Sequence, residues 1–387
     1  MTRIVNPKVM GMENERTVFQ IIRTNGPISR SEIAKHSNLS KPAVSSAVSR
    51  LLRSQLVVER TSSNHNKVGR KPLLLSLNPQ ALHFMCVDIG GTKTLLGVSN
   101  LSGNIIKEET IVTPKSWDQV IRDIRIRIER WAGIYKRLSA VALGVPGVVD
   151  REGRVSFAPN IEDRVFPLKA KLQKAVPMPV FVDNDVNLAA WGEAQRRKLY
   201  SGTVVYISIG TGVGAGIIID GHLYRGTANH AGEIGWFIID KHSLNTPNKS
   251  GLGCLEKEVS GPALVRKALQ VSGDLHLRED EINPGIIFSL YGTSQAAEEL
   301  VNDWIRNVAI LICNLSTILD PKIVILGGGV ITAGGKKFIG NIRELVQLNT
   351  QRPPRIEVSK YPKNAVLYGA IALCMENLET LIWGKGG

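Results

Sequence analysis

The 387-residue chain is poor in cysteine, with four residues at 86, 254, 313 and 374 and no CxxC pair among them. That spacing offers neither a disulfide framework nor a zinc site made of cysteines alone, so reduced thiols are expected. No uninterrupted apolar run reaches the ~18 residues of a bilayer span, and the opening "MTRIVNPKVMGMENE" has no signal-peptide core. A cytoplasmic protein without a membrane partner is the expectation. Acid is scarce at one end: residues 1–80 hold 13 Lys or Arg against four Glu, a net charge of +9, while the other 307 residues contribute only +5. The remainder is ordinary for a folded chain, 43% hydrophobic, with length enough for two or three domains.

The basic head, "SRSEIAKHSNLSKPAVSSAVSRLLRSQLVVER", carries its own punctuation. Ser29 to Glu32 fits a capping box and predicts a short helix with Ile33 and Ala34 on its apolar face. "HSNLS" reads as a tight turn, after which Ser40 caps a second helix with Pro42 in its first turn. Val44, Val48, Leu51 and Leu52 form one stripe of that helix; Lys41, Ser45, Ser46, Ser49, Arg50 and Arg53 lie opposite. Small polar and basic side chains facing outward suit a major groove, where bulky groups would hold the backbone away from the bases. A helical hairpin that serves only as a protein contact is the competing reading. "LVVER" and "PLLLSL" then make a two-stranded wing around "TSSNHNKVGRKP", with Arg70 and Lys71 placed to reach phosphates or a minor groove. An earlier helix through Val18, Phe19, Ile21 and Ile22 completes a small core. Residues 1–80 are thus expected to be a winged helix-turn-helix that binds operator DNA through Lys41, Ser45, Ser46, Ser49, Arg50, Arg70 and Lys71.

From residue 84 the pattern becomes α/β. "FMCVDIGGTKTLLGVSN" places a turn of glycine, threonine and lysine between apolar strands, where freed backbone N–H groups can cradle a phosphate. "TVVYISIGTGVGAGIIIDG" repeats that outline, which points to two related half-folds facing one another across a cleft. "GTGVGA" satisfies a loose dinucleotide fingerprint, but β-branched residues follow where a helix is required, so a Rossmann site is disfavoured. A third glycine turn, "KIVILGGGV", closes a strand at 322–330. Each loop alone reads as a structural turn as readily as a ligand loop.

These motifs together resemble the ROK family, which joins bacterial sugar kinases to sugar-responsive repressors on a two-lobed actin-like, hexokinase-like (ribonuclease H-like) fold; the head resembles its repressor branch. The resemblance implies a first lobe over 81–195 with a C-terminal helix at 370–387, and a second lobe over 196–369. It makes Asp88, Gly90, Gly91, Thr92, Lys93, Thr211, Gly212, Gly214, Gly328 and Gly329 the ATP loops. "VDNDVN" matches the family's sugar and catalytic motif, so Asn184 would bind sugar hydroxyls and Asp185 would be the general base if the chain is a kinase. The plainer reading of the motif is that its Asn and Asp cap the helix that begins near Leu188. Asn160, His230, Glu233 and Glu256 match further sugar-side positions, as a polyhydroxylated ligand requires.

The chain departs from the family where a His and three Cys hold a structural zinc. Trp236, Pro247 and Lys249 stand at three of those positions and only Cys254 remains, a set that cannot hold tetrahedral zinc. No zinc is expected, and His222 and His242 read as surface residues. The loop would be ordered either by Trp236 packing into the space or by ligand arrival. Asp163 and Arg164 replace the family's Gly and Trp after Asn160. The expected function is a sugar-responsive repressor acting as a homodimer or higher homo-oligomer on a palindromic operator, with half-sites ~34 Å apart. The second expectation is an ATP- and magnesium-dependent hexose or amino-sugar kinase, with or without the DNA role.

Overall fold

The computed structural model describes residues 7–61, 73–158, 161, 164–241, 244 and 252–384. Its head consists of α1 (Pro7–Asn25), β1 (Ile28–Ser29), α2 (Arg30–Ser37), α3 (Lys41–Arg53), β2 (Val57–Thr61) and β3 (Leu73–Leu77). The local chemistry read from sequence is in place. Ser29 Oγ accepts the Glu32 amide and the Glu32 carboxylate accepts the Ser29 amide, a reciprocal cap; Ser40 caps α3 through the Ala43 amide. Such a cap contributes about 1 kcal/mol. Val44, Ala47, Val48 and Leu51 bury the inner face of α3 against α1. β2 and β3 pair antiparallel as the expected wing, and β1 adds a third strand through Ile28 opposite Leu75, a pairing too short to show in any periodicity.

Behind the head come β4 (His83–Ile89), β5 (Lys93–Asn100), β6 (Ile105–Val112), α4 (Trp117–Ala132), β7 (Leu138–Val145), β8 (Val148–Val149), β9 (Val155–Ser156), α5 (Leu168–Ala175), β10 (Val180–Asn184) and α6 (Asp185–Arg196). The second half holds β11 (Thr203–Ile209), β12 (Val213–Ile219), β13 (His222–Tyr224), α7 (Glu256–Val259), α8 (Gly261–Gln270), α9 (Ser272–Leu275), α10 (Pro284–Ser289) and α11 (Gln295–Leu319). It closes with β14 (Ile323–Gly327), α12 (Gly329–Ala333), α13 (Ile339–Asn349), β15 (Arg355–Val358), α14 (Ala365–Glu376) and α15 (Leu378–Trp383).

The suspected internal echo is a duplication of topology. One sheet runs β10-β7-β4-β5-β6 and the other β13-β12-β11-β14-β15. Each half makes an antiparallel meander of three strands, then adds two parallel strands beside the first of them. The C-terminal helix begins at Ala365, five positions ahead of the expected 370 and three after Pro362.

Two helices join the halves. α6 packs against α14 along most of its length and also against β12, so the C-terminal helix closes the first lobe. Close approach is possible because Gly192 and Gly369 face opposing backbone: a Cβ on Gly369 would stand 1.9 Å from the Leu188 carbonyl oxygen, and one on Gly192 would stand 2.1 Å from that of Ala365. The same apolar cluster continues into the head, from Leu367 and Leu378 to Phe19, Leu51 and Leu75. No described helix is long and apolar enough to cross a membrane.

Candidate functional site

The outer face of α3 is as expected in part. Lys41, Ser45, Ser46, Ser49 and Arg53 are exposed, and among the described residues no acid pairs with Lys41. Arg50, expected on the groove face, is turned inward: its Nε donates to Glu15 Oε2 at 2.7 Å and its Nη2 to the Gly11 carbonyl at 2.7 Å. The guanidinium therefore ties α3 to α1. Its place between the polar and apolar stripes lets either happen, and Glu15, 35 residues away, decides. Arg70 and Lys71, expected in the wing, lie outside the described residues.

The cleft is organised by the junction between β10 and α6. Asn184 caps α6, its Oδ1 accepting the Asn187 amide at 2.9 Å, while its Nδ2 donates to the Gly147 carbonyl at 2.9 Å. The capping expectation for this motif is met, and the capping residue also pins the "GVPG" loop beside the cleft. The helix starts at Asp185, three residues earlier than Leu188, and Asp185 Oδ1 accepts the Val186 amide at 2.9 Å. Asp88 stands one residue before the end of β4, close enough to Asp185 for the two carboxyls to interact.

Across the cleft, Glu233 starts a short turn at Ile234–Trp236, and Glu256 starts α7. Glu256 Oε2 accepts the Val213 amide at 3.2 Å, so this carboxylate sits on the "GTGVGAG" loop. His230 is exposed near Glu233, and its charge works against the upward shift that burial imposes on the Glu233 carboxyl. Gly328, at φ 93°, begins α12, and a Cβ there would meet the Ile209 carbonyl oxygen at 2.4 Å. Bare backbone at the second and third glycine turns is thus brought together. Asn160 lies outside the described residues, as do His242, Pro247 and Lys249.

Four carboxyls share this cleft, and burial holds them all toward the neutral form. Asp185 is pushed up to about 7, chiefly by burial and further by Glu233; Asp88 is pushed up to about 7 by burial and by Asp185. Burial likewise raises Glu256. A half-buried set of acids that can each take or give a proton suits hydroxyl recognition. The sign for stability follows from linkage. Asp88 and Asp185 titrate near 3.8 when unfolded and near 7 when folded, so the folded chain holds extra protons between those values and their stabilising contribution is lost as pH rises to about 7. Thermal unfolding without ligand is expected at lower temperature at pH 8 than at pH 5, with the slope reduced in Asp185→Asn; a slope unchanged in that variant would refute the assignment.

Trp236, expected to pack into the space of the missing zinc ligands, is 51% exposed, and Pro247 and Lys249 lie outside the described residues. The neighbouring Ile234 and Gly235 take the buried positions of that turn. The family pattern did not point to Asp183, Arg225 and Asn229, yet these side chains link the halves beside the cleft. Arg225 Nη2 donates to Asp183 Oδ2 at 2.5 Å, and Asn229 Nδ2 to the Val149 carbonyl at 2.9 Å. Two apart on one strand, Asp183 and Asp185 would share a face; it is the start of α6 at Asp185, directly after β10, that turns the two carboxylates apart.

Two family models match the chain: the ROK family over residues 84–377 and the MarR family over 13–67. Along nearly its whole length the chain is similar to the xylose repressor of Caldicellulosiruptor bescii, 30% identical over 395 residues covering 96% of this chain and 98% of that one. It is also similar to the glucokinase of Streptomyces coelicolor, 36% identical over 265 residues, 64% of this chain and 82% of the enzyme. Among solved structures, a ROK family transcriptional regulator described as a homolog of the E. coli MLC protein superposes with TM-score 0.79 at 23% identity, covering 96% of both chains. A ROK family glucokinase from Streptomyces griseus, in complex with glucose and AMPPNP, gives TM-score 0.63 at 29% identity over 75% of this chain and 98% of that one.

Proposed function

The chain belongs to the ROK family, and on that premise we propose that it is a sugar-responsive transcriptional repressor that binds operator DNA through α3 and a sugar in the cleft at Asn184, Asp185, His230, Glu233 and Glu256, with Asn160 as a further contact. One observation carries the reading: the winged helix shares a single apolar cluster with α14 and α15, and α14 packs against α6, the helix that Asn184 caps and Asp185 begins. A plain kinase has no use for such a head. The C. bescii relative is named a xylose repressor, which makes xylose the first sugar to try. A palindromic operator and a homodimer follow from one reading head per chain.

Mobility shifts on the DNA upstream of the gene, with and without xylose, glucose or N-acetylmannosamine, test this directly. We expect a shifted duplex whose affinity changes with one of the sugars. Lys41→Ala is expected to weaken binding and to lower the salt slope by about 1, as for one lost phosphate contact. A chain that ignores every duplex, with and without sugar, would end the proposal.

The kinase reading is favoured by one feature, the glycine turns that surround the cleft. Gly90 to Lys93 on the first half, with Thr211, Gly212, Gly214, Gly328 and Gly329 on the second, would hold the phosphates and adenosine of ATP. The bare backbone at Gly328 is compatible with that role. Bound ATP and magnesium would supply the phosphoryl group, and deprotonated Asp185 would take the proton of the attacking hydroxyl. The repressor reading expects ADP release at the level of the blank across the three sugars. Turnover that rises with pH through about 7 and is lost in Asp185→Asn would make the protein bifunctional.

A further inference from the structure

A cavity of about 400 Å³ lies at the seam between the two halves, and none of Asn184, Asp185, His230, Glu233 or Glu256 lines it. Its apolar side comes from three separate elements: Phe181 of edge strand β10, Leu223 of edge strand β13 and Leu373 of α14. Val149 and Val182 add to it, and five charged side chains, Asp150, Arg151, Lys169, Asp183 and Arg225, make up most of the rest of the wall. Arg225 is already matched to Asp183, and Asp150 accepts from Arg154 Nε at 2.5 Å. Arg151 and Lys169 are left over. Among the described residues neither has a carboxylate partner, and the recorded bond of Arg151 is from Nη2 to the Thr227 carbonyl at 3.2 Å.

We infer that this seam is a second ligand site, for a small phosphomonoester whose phosphate sits between Arg151 and Lys169 and whose body lies over Phe181 and Leu223. The volume falls within the range of small-molecule pockets, and the mix of an apolar floor with a few converging polar groups is the usual make-up of such a site. An arginine fork and a lysine point charge, both lacking acids, suit a phosphate dianion better than a neutral sugar, which offers no charge to offset their desolvation. Position adds a consequence. Arg225 to Asp183, Asn229 to Val149 and Arg151 to Thr227 all cross from one half to the other at this seam. A ligand bound there touches both halves and favours the arrangement that keeps them together. The site is independent of the DNA-binding reading, and its test does not use DNA.

Calorimetric titration of the full chain with glucose 6-phosphate, inorganic phosphate and glucose tests the inference. Saturable binding of glucose 6-phosphate is expected, weakening as salt is raised, and at least tenfold weaker in Arg151→Gln and in Lys169→Gln. Lys174→Gln, a charge change on the exposed side of the same helix as Lys169, should bind like the parent chain. Tighter binding of glucose 6-phosphate than of inorganic phosphate assigns the body of the ligand to the apolar wall; equal binding assigns the site to free phosphate. The inference is overturned if neither phosphate compound saturates, if both charge variants bind normally, or if Asp185→Asn abolishes the heat, which would place the ligand in the cleft. Both variants alter exposed or half-exposed side chains, so matching thermal unfolding curves will separate lost binding from lost folding.

Discussion

Gly369→Ala is expected to lower the unfolding temperature by several degrees and to weaken sugar binding at least tenfold. Intrinsic helix propensity argues the opposite, because alanine in a helix interior is favoured over glycine by about 1 kcal/mol. Contact decides. The added Cβ would lie 1.9 Å from the Leu188 carbonyl oxygen, which belongs to the backbone of α6 and has no rotamer by which to escape. The helices must part, and overpacking of this kind costs typically 1–3 kcal/mol, occasionally more. The injury reaches the ligand because α6 begins at Asp185 and its cap, Asn184, is bonded to Gly147. Gly340→Ala supplies the control: this helical glycine is exposed on α13 and nothing lies within 4 Å of the position its Cβ would take. There propensity should win, leaving the chain neutral or slightly more stable. Equal stability of the two variants, with intact sugar binding in Gly369→Ala, would show that the crossing of α6 and α14 does not govern the cleft.

The same contrast explains what could be read from the chain before its structure. Local chemistry was legible: Ser29 with Glu32, Ser40 with Pro42, and the two strand-turn-strand outlines at residues 84 and 203 all stand as expected, and the second foreshadowed the duplicated sheet order. In each case the determinant lies within a few residues of what it determines. Arg50 and Trp236 were not legible, because Glu15 claims the guanidinium from another helix and Ile234 and Gly235, not Trp236, take the buried positions of their turn. The seam cavity is the extreme case. Residues 151, 169, 181, 225 and 373 meet there only because the edge strands of both halves lie side by side, and no spacing in the chain encodes that. Asn184 falls between these cases, since its motif was visible while its bond to Gly147 needed the fold.

Trp383→Ala is expected to leave operator affinity without sugar nearly unchanged while reducing the effect of sugar on that affinity to less than about twofold, against the 5- to 150-fold typical of a coupling of 1–3 kcal/mol. Trp383 ends α15 and meets the head edge-on at Phe19, with ring centroids 5.5 Å apart, and Arg16 lies over its ring at 5.7 Å. Beside it, Gln20 Nε2 donates to Glu379 Oε1 at 2.7 Å. This is the contact through which a shift of α14 under α6 reaches α1, and so the α3 that α1 supports. The groove-facing residues do not touch it, which is why the unliganded affinity should survive. A second joint exists where the chain passes from wing to core: Asn78 donates its amide to Leu56, and Arg137 Nη1 donates to the Ser54 carbonyl at 2.9 Å. The two joints make different predictions. If the wing-side joint carries the signal, Arg137→Ala will blunt the sugar response and Trp383→Ala will not. A full sugar response in Trp383→Ala would therefore remove α15 from the route, while loss of response in that variant with Arg137→Ala unaffected would place the route through the helix that closes the chain.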